Sequence, residues 1–221
     1  MRTARGMSDK SPDLTLVCFA VKEEARFFHA PDKHGFARVI TGMGRTNAAN
    51  CIRKALEELK PARVITAGFA GGLNPELTVG TVLFEEDFEF GLGPNLLKWG
   101  AYPGKFHCAK RVAVTIEEKR ALWRSTGADA VEMESSVIRT ICREHRIPGA
   151  TIRVISDEAG EDLPLDFNAL MTPTDRINYP KLAWKLVSRP RAIPQLMRFQ
   201  EKTIIAARRL GEALLGSLRA G

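Results

Sequence analysis

Arg63-Val-Ile-Thr-Ala-Gly-Phe-Ala-Gly-Gly72 decides the fold. Its first half is a short apolar, β-branched run, and its second half is rich in glycine. That order is expected where a buried strand ends and hands the chain to a turn. Working outward, Leu14–Val21 is an apolar run of strand type, followed by the charged Lys22-Glu-Glu-Ala-Arg26. Arg38–Thr41 predicts a second strand ending at Gly42-Met-Gly44. Thr46 or Asn47 then caps a helix with the apolar stripe Cys51, Ile52, Ala55, Leu56 and Leu59, and Lys60-Pro61 stops it. Val79–Phe84 predicts a further strand. Residues 89–110 are rich in Gly and Pro without a clear period and read as a loop or insertion. Helices are expected over Glu117–Ser125 and Ala130–Cys142, and a buried strand over Ala150–Ile155 that ends at Ser156-Asp157. Strands alternating with helices predict an α/β single domain with a central, mostly parallel twisted sheet flanked by helices. In such sheets ligands bind beyond the carboxyl ends of the strands. Glu24, Gly42–Gly44, Phe69 and Asp157 all lie just past strand ends, so one pocket can hold them.

A chain of 221 residues with 44% hydrophobic and 27% charged content is long enough to bury a full α/β core. No apolar run approaches the roughly 20 residues of a membrane span. Residues 1–13 read as a short disordered leader, because no apolar segment follows the early charges. Residues 14–179 form the expected α/β domain and 180–221 a basic, helical C-terminal segment. Cys18, Cys51, Cys108 and Cys142 lack C-x-x-C spacing and read as reduced thiols of a cytoplasmic protein. The four His are scattered without zinc spacing, so no metal is expected. The net charge of +7 sits wholly in the tail: residues 180–221 carry nine Lys and Arg against Glu201 and Glu212, and the rest is balanced. A neutral body argues against a nucleic-acid groove across it. A helix from Gln195 to about Leu218 either packs on the domain with its basic side chains solvated, or contacts anionic lipid or a partner.

Within Ala130–Cys142, helical periodicity places Met133 under Val137, and Glu134 under Ile138 and Ile141, on the apolar face. Glu132 aligns with Ser136, Arg139 and Arg143 on the wet face. Glu134 therefore reads as a carboxylate on the buried side of a helix. Burying such a charge costs several kcal/mol unless something binds it. A core Arg, backbone amides or the hydroxyls of a ligand would all serve.

These stretches together resemble the nucleoside phosphorylase and nucleosidase superfamily. Ala20-Val-Lys-Glu-Glu24, Thr41-Gly-Met-Gly44, Ala67–Leu73, Val79-Gly80, Val131-Glu-Met-Glu134 and Arg153-Val-Ile-Ser-Asp157 are similar in order and spacing to the methylthioadenosine/adenosylhomocysteine nucleosidases, over roughly Leu14–Leu170. Val131–Ser136 and Ser188–Leu196 also resemble the hopanoid-associated phosphorylases, whose implied substrate is an adenosyl-hopane.

The resemblance implies cleavage of the N-ribosidic bond of a purine, adenine-type nucleoside. Such cleavage passes through an oxocarbenium-like transition state and needs an acid for the leaving base. By resemblance, Asp157 is that acid at N7 and is expected to be buried and protonated, and Glu24 activates the attacking water. Glu134 accepts the ribose hydroxyls, and Met133, Phe69, Ser156 and Gly44 complete the substrate site. Glu23 is the internal control, since neighbouring residues point apart. No cofactor is implied, save phosphate as a co-substrate if the reaction is phosphorolysis. Arg45, Arg26 and Arg153 are the candidates for a phosphate or nucleophile site, whereas the absence of a Gly-Asp-Pro-type phosphate loop favours water. The alternatives are phosphorolysis of a 5′-modified adenosine and a nucleoside-binding protein without turnover. Two departures bear on activity. Phe69 stands where the family has a small Ser or Thr, and the segment between Val82 and Ala130 is short, without a clear base-stacking loop. A homo-oligomer is expected from the family.

Overall fold

The structure is a computed structural model that describes residues 14–29, 35–172, 174, 178–188 and 192–219. The expected leader, residues 1–13, lies outside them. Among the described residues eight strands form one sheet: β1 (Thr15–Phe19), β2 (Phe36–Ile40), β3 (Arg63–Gly72), β4 (Val82–Glu86), β5 (Ala101–Pro103), β6 (Phe106–Cys108), β7 (Ala130–Glu132) and β8 (Gly149–Asp157). The main path runs β2-β1-β3-β8-β4-β5, with β7 joining the end of β3 and pairing with β6. Most pairs are parallel; β4 against β8 and β7 against β3 are antiparallel, which makes the sheet mixed. Around it lie α1 (Arg45–Leu59), α2 (Gly93–Lys98), α3 (Ile116–Thr126), α4 (Ser135–Glu144), α5 (Phe167–Leu170), α6 (Tyr179–Ser188) and α7 (Ala192–Arg219).

The period of two along the central strands splits the core into two layers. Val17, Phe19 and Ile65 face one side, where they meet Leu96 of α2 and Ala206, Leu210 and Leu214 of α7. Leu16, Cys18 and Val64 face the other, packed on Ile52 and Leu56 of α1 and Ile138, Ile141 and Cys142 of α4. β1, β3 and β8 are buried on both faces, so their residues read as continuous apolar runs. The second half of α7 is thus part of the main core. All four cysteines are free; Cys18 and Cys142 are buried, and Cys51 and Cys108 are partly so. No helix among the described residues is long and apolar enough to cross a membrane.

Four expectations need correction. The glycine-rich half of Arg63–Gly72 is not a turn after the strand: β3 runs through it, paired with β8, so Phe69 lies within the strand. Residues 89–110 are not a plain loop: α2, β5 and β6 lie there. α1 starts at Arg45 with Gly44 at its N-cap position and no side-chain cap, so neither Thr46 nor Asn47 caps it. The expected helix over Ala130–Cys142 begins only at Ser135, because Ala130–Glu132 pair with β3 and β6 as a strand.

Candidate active site

β3, β7 and β8 converge at one end of the sheet, and the turn after β1 folds over them. A cavity of about 380 Å³ opens there, lined by Glu24, Phe69, Met133, Glu134, Ser156 and Asp157 among others. All six were expected from the sequence, Glu24 and Asp157 as catalytic groups and the other four in the substrate site. Gly44 is not among the lining residues. Its N–H donates to Glu134 Oε1 at 2.8 Å, so it acts on the pocket through that carboxylate.

Glu132, expected on the wet face, is buried instead. One oxygen accepts the N–H groups of Glu134 and Ser135, which opens α4, and the same oxygen pairs with Arg153 Nη2 at 2.7 Å. Burial works to raise this carboxyl, but the Arg153 guanidinium and the Ser135 hydrogen bonds overcome it and hold Glu132 below the usual carboxylate range. Arg153 is almost wholly buried and has three carboxylates, Glu132, Glu134 and Glu24, acting on it. Gly68 makes that crowding possible. A Cβ there would lie 2.5 Å from Glu24 Oε1 and 2.8 Å from Arg153 Nη1, so only a bare backbone lets the two groups meet.

Glu24 is buried and Glu23 exposed, although both border the cavity. The residues around them form turns rather than the helix start considered from the sequence. Glu24 Oε2 accepts the N–H groups of Ala20 and Val21, and Oε1 accepts that of Phe69 at 2.8 Å. A carboxylate offers about four acceptor positions, so one remains on Oε1 for a further donor such as water. Burial raises the Glu24 carboxyl, opposed by Arg153 and the three amides. Phe69 supplies a main-chain donor at the place where its side chain cannot, while its ring lines the cavity and packs on the core.

Glu134 sits at the N-cap position of α4 and faces the N-terminus of α1 through Gly44. Burial pushes its carboxyl up to about 7, helped by Glu132 and opposed chiefly by Arg153. Its folded value thus lies above its unfolded one. Stability is greatest when Glu134 is protonated and falls as pH rises from the ordinary carboxylate range through about 7. Glu134→Gln removes that penalty. It should raise the melting temperature by several degrees at about pH 8, corresponding to at most about 3 kcal/mol, and by little at about pH 5. Nucleoside-analogue affinity should fall about tenfold as a charge-assisted acceptor is lost. Equal melting shifts at both pH values would contradict this account of the carboxyl.

Asp157 ends β8. Its Oδ1 lies 2.7 Å from the Ser156 hydroxyl, and its Oδ2 pairs at 2.6 Å with Lys119 Nζ. The sequence reading missed Lys119 altogether. It is 0% exposed, the one buried residue of α3, in a helix whose other charged residues made it look solvated.

The proposed phosphate-binding arginines are not brought together. Arg26 stacks over Phe27, Arg45 donates to Ser136 Oγ on the surface, and Arg153 is committed to Glu132 and Thr66. Neither Arg26 nor Arg45 lines the cavity. The far wall is apolar and comes from elements that the sequence did not assign to the site: Leu163, Phe167 of α5, Met171, and Phe199 of α7. The Phe167 and Phe199 rings lie 5.7 Å apart.

The chain is similar to known proteins over most of its length. A family model described as Phosphorylase superfamily matches residues 23–96 and 100–183. A 5′-methylthioadenosine/S-adenosylhomocysteine nucleosidase of Bacillus subtilis is 26% identical over 185 residues, covering 67% of this chain and 79% of that protein. Among solved structures, the corresponding nucleosidase of Campylobacter jejuni superposes with a TM-score of 0.68 at 17% identity, covering 95% of this chain and 100% of that one. The futalosine hydrolase of Helicobacter pylori gives 0.67 at 14% identity, covering 95% and 98%.

Proposed function

Because this chain belongs to the phosphorylase superfamily, we propose that its pocket hydrolyses the N-ribosidic bond of an adenine-type nucleoside. Relatives named as nucleosidases support the reaction class, as does a Neisseria meningitidis nucleosidase in complex with methylthio-immucillin-A. The observation that carries the choice of water is electrostatic. Glu24, Glu132 and Glu134 crowd the Arg153 guanidinium, neither Arg26 nor Arg45 lines the cavity, and Arg111, which does, is paired with Glu118. Such a floor repels a phosphate dianion and suits a neutral water.

In the proposed mechanism, Glu134 accepts hydrogen bonds from the ribose hydroxyls, with Met133 packed against the sugar. The base lies toward Asp157, which delivers a proton to N7. Bond electrons move to the base, and the sugar becomes oxocarbenium-like. A water on the free acceptor position of Glu24 attacks the anomeric carbon and gives its proton to that carboxylate. The apolar wall of Leu163, Phe167, Met171 and Phe199 takes an apolar 5′ substituent in place of a free hydroxyl. The test is incubation with adenosine, methylthioadenosine and inosine without phosphate, following free base by chromatography. Adenine from methylthioadenosine in preference to adenosine is expected; release that appears only on adding phosphate would reverse the choice of nucleophile.

A second reading concerns where the chain works. From Arg176 to Gln200 there are six Lys and Arg and no acidic residue. Trp184, Val187 and Met197 in that stretch are 73%, 78% and 58% exposed. Basic side chains interleaved with exposed apolar ones suit the surface of an anionic bilayer. Truncation is a poor test, since α7 belongs to the core. Lys181→Glu with Lys185→Glu should instead abolish cosedimentation with phosphatidylglycerol vesicles that the unaltered chain shows at low salt. No sedimentation of the unaltered chain would dispose of the idea.

A further inference from the structure

Lys119 and Asp157 pose a problem for acid catalysis. An aspartate that protonates N7 must carry a proton, yet Asp157 Oδ2 lies 2.6 Å from the fully buried ammonium of Lys119. The surroundings of the pair suggest how both can hold. Lys119 Nζ also donates to the carbonyls of Glu158 at 2.7 Å and Glu161 at 3.0 Å, so all three of its N–H groups are directed. The other charged groups nearby are committed elsewhere. The Glu158 carboxylate accepts from Val79 N–H, and that of Glu161 accepts from Glu158 N–H and pairs with Lys202 of α7. Arg111, at the cavity wall, pairs with Glu118, and Glu24, Glu132 and Glu134 gather at Arg153. From the Ser156 side only a hydroxyl faces Asp157. The ammonium is thus sealed from water and reaches the cavity through one carboxylate.

We propose that Lys119 is the proton reservoir for Asp157, the two side chains holding a single transferable proton behind the leaving base. The proposal rests on the reading of Asp157 as the acid. As the N-ribosidic bond lengthens, its electron pair moves onto the purine and N7 gains basicity. Lys119 Nζ passes its proton to Oδ2, and the carboxyl so formed passes that one proton on to N7. The base departs protonated at N7, the carboxylate is unchanged overall, and Lys119 is left as a neutral amine. Asp157 returns a proton to it from the emptied cavity before the next turnover. Lys119 touches no substrate and acts as a positioning residue with a proton to give.

The test is the pH profile of kcat/KM on the nucleoside that the unaltered chain cleaves, with analogue binding and melting as controls. The unaltered chain should stay active to about pH 9, beyond any carboxyl range. Lys119→Met should move the alkaline limb down by at least about one unit and lower kcat at about pH 8 by about 100-fold, with analogue binding retained. Lys119→Arg keeps the charge but does not release a proton, so it should not restore the rate. A folded Lys119→Met chain with an unmoved limb, or full rescue by Lys119→Arg, overturns the reservoir alone. Should either variant fail to fold, the unaltered chain still decides, since an alkaline limb below about pH 7 also overturns the reservoir. Absence of base release from every nucleoside would overturn the reading of the site itself, and the reservoir with it.

Discussion

Asp157→Asn should lower kcat by about 10²–10⁴-fold, the range typical of a lost general acid. Asparagine matches aspartate in size but has no acidic proton for N7. It also withdraws the anionic partner of Lys119, leaving an ammonium that is 0% exposed among neutral acceptors, the Glu158 and Glu161 carbonyls and the new amide oxygen. Breaking a buried pair from one side costs about 3–5 kcal/mol, so melting should fall together with activity. Binding of a nucleoside analogue below the melting transition separates the two effects. Retained binding with lost turnover is the expected pattern. Turnover within tenfold of the unaltered chain would remove Asp157 from the chemistry.

Glu24→Gln is the second large effect, again about 10²–10⁴-fold in kcat. Glutamate here accepts three main-chain N–H groups, two on Oε2 and one on Oε1. A glutamine amide has to point its NH2 at one of those sets, so a donor meets a donor whichever way it turns. The variant loses the base and disturbs the Ala20–Val21 turn together. Glu24→Asp keeps the charge but withdraws it, and should recover little. The pH dependence follows from the environment of Glu24. Burial raises its carboxyl, so the basic form disappears as pH falls through that raised value. The acid limb of kcat/KM should therefore lie above the ordinary glutamate range, and an acid limb at or below that range would contradict the role.

How much of this was legible in the sequence differs from element to element. β1, β3 and β8 were readable because both of their faces are buried, which leaves unbroken apolar runs between turn residues. α2, β5 and β6 were not, since elements of three to six residues are too short to display a period. Ala130–Glu132 was misread for a related reason. From Glu134 onward the helical spacing is real, and three strand residues before it fit the same pattern by chance. That error sent Glu132 to the surface, although it pairs with Arg153 across 21 residues of sequence. Glu24, Glu134 and Asp157 came from matched motifs, while Arg26 and Arg45 matched a chemical need that the fold does not place at the cavity. Lys119 had no local signal: a lysine beside Glu117, Glu118 and Arg120 looks solvated until Asp157 is folded against it. The apolar wall was hidden likewise, because Phe167 and Phe199 meet only after α7 returns to the sheet.

The central claim is that water, and not phosphate, takes the ribosyl group above the three carboxylates. Phosphorus NMR of a methylthioadenosine reaction run in phosphate buffer tests it most directly, with free adenine measured in the same tube. Adenine accumulating with no sugar-1-phosphate signal is the predicted result. A sugar-1-phosphate signal growing in step with adenine would contradict it.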